Sequence, residues 1–161
     1  MTTTETAVYP GVFDPVTLGH LDIIRRGAAL FRRLVVAVHA HPPGKDCLFG
    51  PDERLDLVRR AAADIAGVEA VLYDGLTADF VRDQGAAVIL RGLRQHTDFA
   101  YEYQMALTNR TVSGVETLFV MADERTAYIS SHLVREVAAL GGNVANLVPP
   151  CVAEALAGKH A

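Results

Sequence analysis

Tryptophan is absent from this 161-residue chain, and cysteine is limited to Cys47 and Cys151, in no CxxC spacing. That scarcity argues against a disulfide framework or a cysteine zinc site, and both residues read as free thiols. A basic excess is also missing: 15 Lys+Arg against 19 Asp+Glu leave a formal charge of -4. The chain therefore lacks the polyelectrolyte signature of a nucleic-acid-coating protein, and any basic site must be local. No apolar run approaches the roughly 18 residues of a membrane span. The opening "MTTTETA" lacks the basic start and apolar core of a signal peptide. A cytoplasmic protein with no nucleic-acid or membrane partner is expected.

Several catalytic signatures are missing too. There is no GxxxxGK[ST] loop, the glycines near the N-terminus do not form GxGxxG, and no HExxH or similar His/carboxylate spacing is present. A P-loop NTPase, a hydride-transferring dinucleotide enzyme and a protein-held metal all lose support. His39, His41 and His96 fall at predicted strand ends or loops, where surface or structural roles fit better than ligation.

What the chain does have is apolar residue in quantity, 50% of the total. That supports one well-buried core and a single domain spanning 1–161. Short β-branched runs alternate with longer helical patterns, the order expected of parallel βα units in an α/β fold. Strands are predicted at Ala7 to Tyr9, Leu34 to Ala40, Val68 to Tyr73, Ala86 to Leu90 and Glu116 to Met121. Helices are predicted at Gly19 to Phe31, from about Pro51, at Thr77 to Asp83, Asp98 to Arg110, Ser131 to Leu140 and Pro150 to Ala157. The first should turn Leu21, Ile24, Ala28 and Leu30 inward, and the second Leu55, Leu57 and Val58. Pro51 suits a first helical turn, and Gly141 with Gly142 suits a helix stop.

Parallel sheets bind ligands beyond the carboxyl ends of their strands, where loops meet helix N-termini. Four segments converge there: "GVFDPVTLGH" after the first strand, "HPPGKDCLF" after the second, "RGLR" after the fourth and "ISSHLVRE" after the fifth. In the first, Asp14, Pro15 and Thr17 favour a turn, and the unpaired N–H groups at its end can hold an anion. Taken alone, Arg91 and Arg94 read as solvated charges before phosphate ligands, with Gly92 allowing close backbone approach. Ser130 and Ser131 read as helix caps or anion donors. Lys45, in a Pro-Gly loop, reads as a solvated cation or a mobile phosphate ligand.

These segments carry a resemblance. Thr17, Leu18, Gly19 and His20 fill the [HT]xGH signature of the nucleotidylyltransferase superfamily, and Ile129 to Arg135 resembles its ISSxxxR motif. "YPGxFDPxTxGHxDI", "RGLRxxxDFxYExQMAxxNR" and "ISSxLVREVAxLGG" together resemble the bacterial phosphopantetheine adenylyltransferase family over almost the whole chain.

The resemblance implies a Rossmann-like, doubly wound, five-stranded parallel sheet with helices on both faces. It implies transfer of AMP from ATP, with Mg²⁺, to 4'-phosphopantetheine, giving dephospho-coenzyme A and pyrophosphate. A homohexamer is implied, and coenzyme A is a candidate feedback ligand. His20 is then the transition-state donor, and Lys45 and Arg91 hold the acceptor phosphate and the attack geometry. Phe13, Gly92, Leu93, Arg94 and Glu102 fall at the ATP site, with Glu102 near the ribose. Thr126, Ala127, Tyr128, Ile129, Ser130, Ser131 and His132 cover the ATP phosphates, and Thr77 contacts the pantetheine arm.

Two positions depart from the family pattern. Val12 stands where the family usually has threonine or serine at a position contacting ATP and acceptor, removing a hydroxyl worth about 1.5 to 3 kcal/mol against a charged group. His132 replaces a third serine, where an imidazole could donate to polyphosphate or cap the helix. A paralogue using another phosphorylated acceptor, and a catalytically silent nucleotide- or coenzyme-A-binding protein, are the alternative readings.

Overall fold

The computed structural model describes residues 5–161, and at 96 and 97 the backbone alone; residues 1–4, part of the stretch read for a leader, lie outside it. The alternation of strand and helix patterns is realised as β1 (Thr6–Gly11), α1 (Leu18–Leu30), β2 (Arg33–His39), α2 (Pro51–Ala61), β3 (Val68–Tyr73) and α3 (Thr77–Asp83). There follow β4 (Val88–Leu93), α4 (His96–Ser113), β5 (Glu116–Met121), α5 (Ser131–Ala139) and α6 (Pro150–Lys159). The sheet order is β3-β2-β1-β4-β5, with every neighbouring pair parallel.

This is the doubly wound, Rossmann-like arrangement, and its strand order reverses between β1 and β4. The ladders show why a crevice opens there. β1 and β2 stay in register from Thr6↔Arg33 to Gly11↔Val38, whereas β1 and β4 are registered only at Ala7↔Val88 and Val8↔Ile89. Beyond Val8 the two central strands part company, and Pro10, without an N–H, has no donor to offer a ladder.

Side chains alternate across the strands with a period of two. Ala7, Leu34, Val36, Val38 and Leu90 enter a large core with residues of α1, α2, α5 and α6. Val8, Val35, Ala37 and Ile89 enter a smaller one with Val81 of α3. Leu55, Leu57 and Val58 of α2 are buried as expected, and Pro51 opens that helix. Gly141, at φ 75, ends α5, with the Gly142 N–H donating to the Val137 carbonyl.

Three expectations need correction. β4 runs to Leu93 rather than stopping at Leu90, because Arg91, Gly92 and Leu93 pair with Phe119, Val120 and Met121 of β5. Sheet pairing overrides the poor strand propensity of a charged residue and a glycine. α4 begins at His96, outside the predicted span, so that residue is helical rather than in a loop. In α1, Leu30 is 62% exposed, and the buried face is Gly19, Leu21, Ile23, Ile24 and Gly27. Glycine is silent in a hydropathy pattern, yet a Cβ at Gly27 would meet Leu90 Cδ2 at 2.5 Å.

Candidate active site

The loop leaving β1 is shaped by polar side chains that bond to backbone. Phe13 has φ 52, a left-handed conformation uncommon outside glycine. Thr17 caps α1: its hydroxyl accepts from the His20 N–H at 3.3 Å, and His20 Nδ1 accepts from the Thr17 N–H at 3.0 Å. With Nδ1 engaged as an acceptor, the ring proton belongs on Nε2. Desolvation, reinforced by the charges of Arg94 and Arg91, lowers the His20 pKa to about 3. At neutral pH the ring is therefore an uncharged N–H donor. It packs edge-on against Phe13, with ring centroids 5.0 Å apart.

Asp14, 4% exposed, ties this loop to the one after β2 by accepting from the N–H groups of Leu48 at 2.8 Å and Phe49 at 2.9 Å. Arg135 of α5 lies 3.5 Å from its carboxylate and donates to its main-chain carbonyl. The Ser131 hydroxyl donates to the Pro15 carbonyl at 2.8 Å, while Ser130 caps α5 by accepting from the Leu133 N–H.

Below them lies Arg54, 1% exposed, whose guanidinium donates to the carbonyls of Val12, His39, Ala40 and Phe49 at 2.7 to 3.1 Å. Because the peptide is planar and trans, drawing the Val12 carbonyl toward Arg54 turns the Phe13 N–H the opposite way.

On the opposite wall, Arg91 grips the Glu102 carboxylate with two donors, one of them at 2.8 Å, and donates to the Pro10 carbonyl at 2.9 Å. Burial alone would lower the Arg91 pKa, but the bond and charge of Glu102 outweigh it and raise it. Arg94 donates to the Ile129 carbonyl at 3.0 Å and lies 3.3 Å from Asp98.

Between the walls is a cavity of about 690 Å³. All four segments singled out from the sequence reach it. The β1 loop supplies Val12, Phe13 and His20, and the next loop supplies Lys45. Arg91, Gly92 and Arg94 come from the β4 end, Glu102 from α4, and Ile129 with Ser130, Ser131 and His132 from the start of α5. Leu93, Thr126, Ala127 and Tyr128 are not on its wall. Tyr128 is 58% exposed, and Thr126 instead brings its carbonyl 3.3 Å from where a Gly19 Cβ would stand.

Thr77 lines a neighbouring cavity of about 160 Å³, which shares Val12, Arg91 and Glu102 with the first. Gly92 has a second neighbour besides the cavity: a Cβ there would meet Ile23 Cγ1 at 2.8 Å. The strand–helix approach accounts for that glycine as well as any ligand would.

Sequence reasoning gave Asp14 only a turn and missed Arg54, Asp98 and Tyr101, the last on the walls of both cavities. Arg54, in "PDERLDLV", looks like any charge on a solvated helix face, and carbonyl partners leave no mark in a sequence. Asp98 carried a readable signal, an acidic residue four positions beyond Arg94. Chemically, the arrangement offers cationic and N–H donors around a space suited to phosphates, with Asp14 and Glu102 already occupied by donors. Among the described residues no group of three or more His, Cys, Asp or Glu side chains is placed to hold a metal ion, and no helix is long and apolar enough to cross a membrane.

Comparison with known proteins agrees with this picture. Residues 8–137 match the Cytidylyltransferase-like family. The phosphopantetheine adenylyltransferase of Alkalilimnicola ehrlichii is 55% identical over 156 residues, covering 96% of this chain and 90% of that one. Its counterpart in Geotalea daltonii is 49% identical over 154 residues, 95% of each chain. Among solved structures, a Vibrio parahaemolyticus protein provisionally assigned as a nicotinate-nucleotide adenylyltransferase superposes with a TM-score of 0.69 at 17% identity, over 94% of this chain and 97% of that one. At that identity the likeness is one of fold. Relatives at about half identity across nearly the full length are a closer tie, and by them the chain belongs to the phosphopantetheine adenylyltransferase family.

Proposed function

We propose that this protein transfers the adenylyl group of ATP to 4'-phosphopantetheine, yielding dephospho-coenzyme A and pyrophosphate in coenzyme A biosynthesis. The observation that carries the reading is the meeting of His20, Lys45, Arg91 and Arg94 on one cavity at the strand-order reversal, in a chain about half identical to enzymes of that name.

The acceptor phosphate is already an anionic nucleophile, so no covalent enzyme intermediate is needed. One of its oxygens bonds to the α-phosphorus of ATP as the bond from that phosphorus to the bridging oxygen breaks. Pyrophosphate leaves with the electron pair, and no proton has to be moved. The enzyme's task is to hold two mutually repelling anions in line and to meet the charge that grows on the α-phosphoryl oxygens. A neutral His20 with its proton on Nε2 suits that second task as a hydrogen-bond donor. Its low pKa disfavours a role as a general acid.

Lys45 and Arg91 take the acceptor phosphate. Arg91 engages the Pro10 carbonyl and Glu102 with three of its five N–H groups, leaving two for a ligand. Gly92, Leu93, Arg94 and Glu102 serve the nucleotide, with Arg94 acting on Ile129 as well as on phosphate. Of the segment from Thr126 to His132, the part from Ile129 onward faces the phosphates and the earlier part supports it from behind. Val12 contributes backbone in place of a hydroxyl. Mg²⁺ would be held by the ATP phosphates rather than by a cluster of protein ligands, and would supply further neutralisation of phosphate charge.

We further propose a single domain spanning 1–161, a cytoplasmic location, coenzyme A as a feedback ligand and a homohexameric assembly. The last is supported by the apolar side chains that α4 and β5 expose, among them Phe99, Tyr103, Val112, Leu118 and Met121.

The test is to incubate the protein with Mg-ATP and 4'-phosphopantetheine and follow pyrophosphate and dephospho-coenzyme A. Product from the parent is expected; none, at saturating substrates, defeats the assignment.

A further inference from the structure

The aspartate of "GHLDI", Asp22, has no part in the chemistry above and lies on the wall of neither cavity. Its side chain is nonetheless only 19% exposed, and its carboxylate bonds to a residue 101 positions away in the chain. The end of the sheet explains that bond. Beyond β5 the Ala122 N–H still donates to the Leu93 carbonyl, at 2.9 Å, and there β4 stops. The next N–H, that of Asp123, needs another acceptor. Asp22 Oδ2 supplies it at 2.9 Å, while Oδ1 accepts from Arg26 Nε one helical turn on, also at 2.9 Å.

From Asp123 the chain winds into a tight turn. The Asp123 carbonyl accepts from the N–H groups of Thr126 at 2.9 Å and Ala127 at 2.8 Å, and the Thr126 carbonyl accepts from the Ile129 N–H at 3.0 Å. The Ile129 carbonyl in turn accepts from Arg94 at 3.0 Å, and both of those residues are on the wall of the large cavity. The turn also rests on α1, where a Cβ at Gly19 would stand 3.3 Å from the Thr126 carbonyl oxygen and 3.7 Å from that of Ile129. The Asp123 carboxylate is engaged elsewhere, with Arg125. Arg26 lies 3.6 Å from it and so stands between two carboxylates. An unbroken series of hydrogen bonds therefore runs from Asp22, two residues beyond His20 on the same helix, to the place where the segment reaches the cavity.

We infer that Asp22 is a positioning residue for the nucleotide: by accepting the Asp123 N–H it fixes the turn from Asp123 to Ile129, and with it the Arg94 contact and the start of α5, against the helix that carries His20. The inference rests on the function proposed above and deepens it. None of these bonds involves Lys45 or Arg91, so the effect falls on ATP and spares the acceptor. A donor set displaced by about 1 Å loses much of its effect even when the cause lies away from the chemistry.

The experiment compares the parent with Asp22→Ala, which removes the acceptor, and Asp22→Asn, whose amide oxygen can still take the Asp123 N–H. Isothermal titration calorimetry gives Kd for Mg-ATP, steady-state kinetics give KM for ATP and for 4'-phosphopantetheine, and circular dichroism checks folding. The Ala variant is expected to raise Kd and KM for ATP about tenfold, the order of one hydrogen bond to a charged group. Its KM for 4'-phosphopantetheine should stay within about twofold of the parent, and the Asn variant within about threefold on every measure. An unchanged Kd for Mg-ATP in the Ala variant, an equal rise in both KM values, an Asn variant as impaired as the Ala variant, or a lost fold overturns the role of Asp22 while leaving the function standing. A parent that binds Mg-ATP without turning over 4'-phosphopantetheine defeats the function instead, and the Kd comparison still judges Asp22.

Discussion

The two walls of the cleft are held in different ways. On the β1 side, Asp14, Thr17 and Arg54 are between 1% and 4% exposed, and all three bond to main-chain groups of the loops that carry the donors. On the β4 side, α4 buries Glu102, while Phe99, Tyr101 and Tyr103 are each at least half exposed. The smaller of the two cores lies on the face that carries α3. One wall is thus fixed by polar side chains saturating backbone, where a donor's position is set to within a hydrogen bond. The other depends on the ion pairs Arg91–Glu102 and Arg94–Asp98, and much of its apolar surface is left for a covering partner.

The comparison is broken hardest at Arg54. Replacing it with methionine leaves four carbonyls without their donor, at about 1 to 3 kcal/mol for each group that finds no substitute. A loss of at least about 3 kcal/mol is expected, read as a lower midpoint in urea denaturation.

Next comes His20. His20→Gln preserves the capping geometry at the third helical position but misplaces the Nε2 donor, and kcat is expected to fall by about 10² to 10³. The same variant carries a pH test. The folded-state pKa of His20 is about 3, below the value of about 6.5 in an unfolded chain. As pH drops below about 6.5 the unfolded state binds the proton first, so His20 costs stability progressively down to about pH 3. His20→Gln should therefore flatten the acid decline seen in urea midpoints at pH 7, 5 and 4. Asp123 has its pKa lowered to about 2, chiefly by the hydrogen bond from Arg125. Its contribution is lost below about pH 4, outside most of that window.

Gly92→Ala probes the seam between the walls. Its methyl would meet Ile23, and a loss of about 1 to 3 kcal/mol is expected by urea denaturation. The smallest effect on the isolated chain belongs to α4: Tyr103→Ser with Val112→Ser should shift monomer stability by no more than about 0.5 kcal/mol. The pair should instead weaken assembly, measured by sedimentation at several concentrations.

Much of this was legible in the sequence. The boundaries of β3, α3 and β5 follow from apolar pattern and turn residues, and the two motif segments flagged the β1 loop and the α5 start. What stayed hidden shares a cause. Arg54 and Asp14 act on backbone atoms that every residue has, so no sequence partner betrays them. The inward face of α1 includes glycines that a hydropathy period cannot see. β4 extends through Arg91 and Gly92 because β5 lies beside it, which is a tertiary fact. Thr126 to Tyr128 carry the motif's neighbourhood without facing the cavity, since adjacency along the chain says little about direction.

His20 closes the first turn of α1, and in the proposed function the same ring presents the donor to the reacting phosphorus. One imidazole with two duties couples them: any fraying of that turn frees Nδ1, and the proton is no longer confined to Nε2. Warming should accordingly erode turnover before the sheet melts, and the temperature at which the rate bends downward would report the opening of a single helical turn.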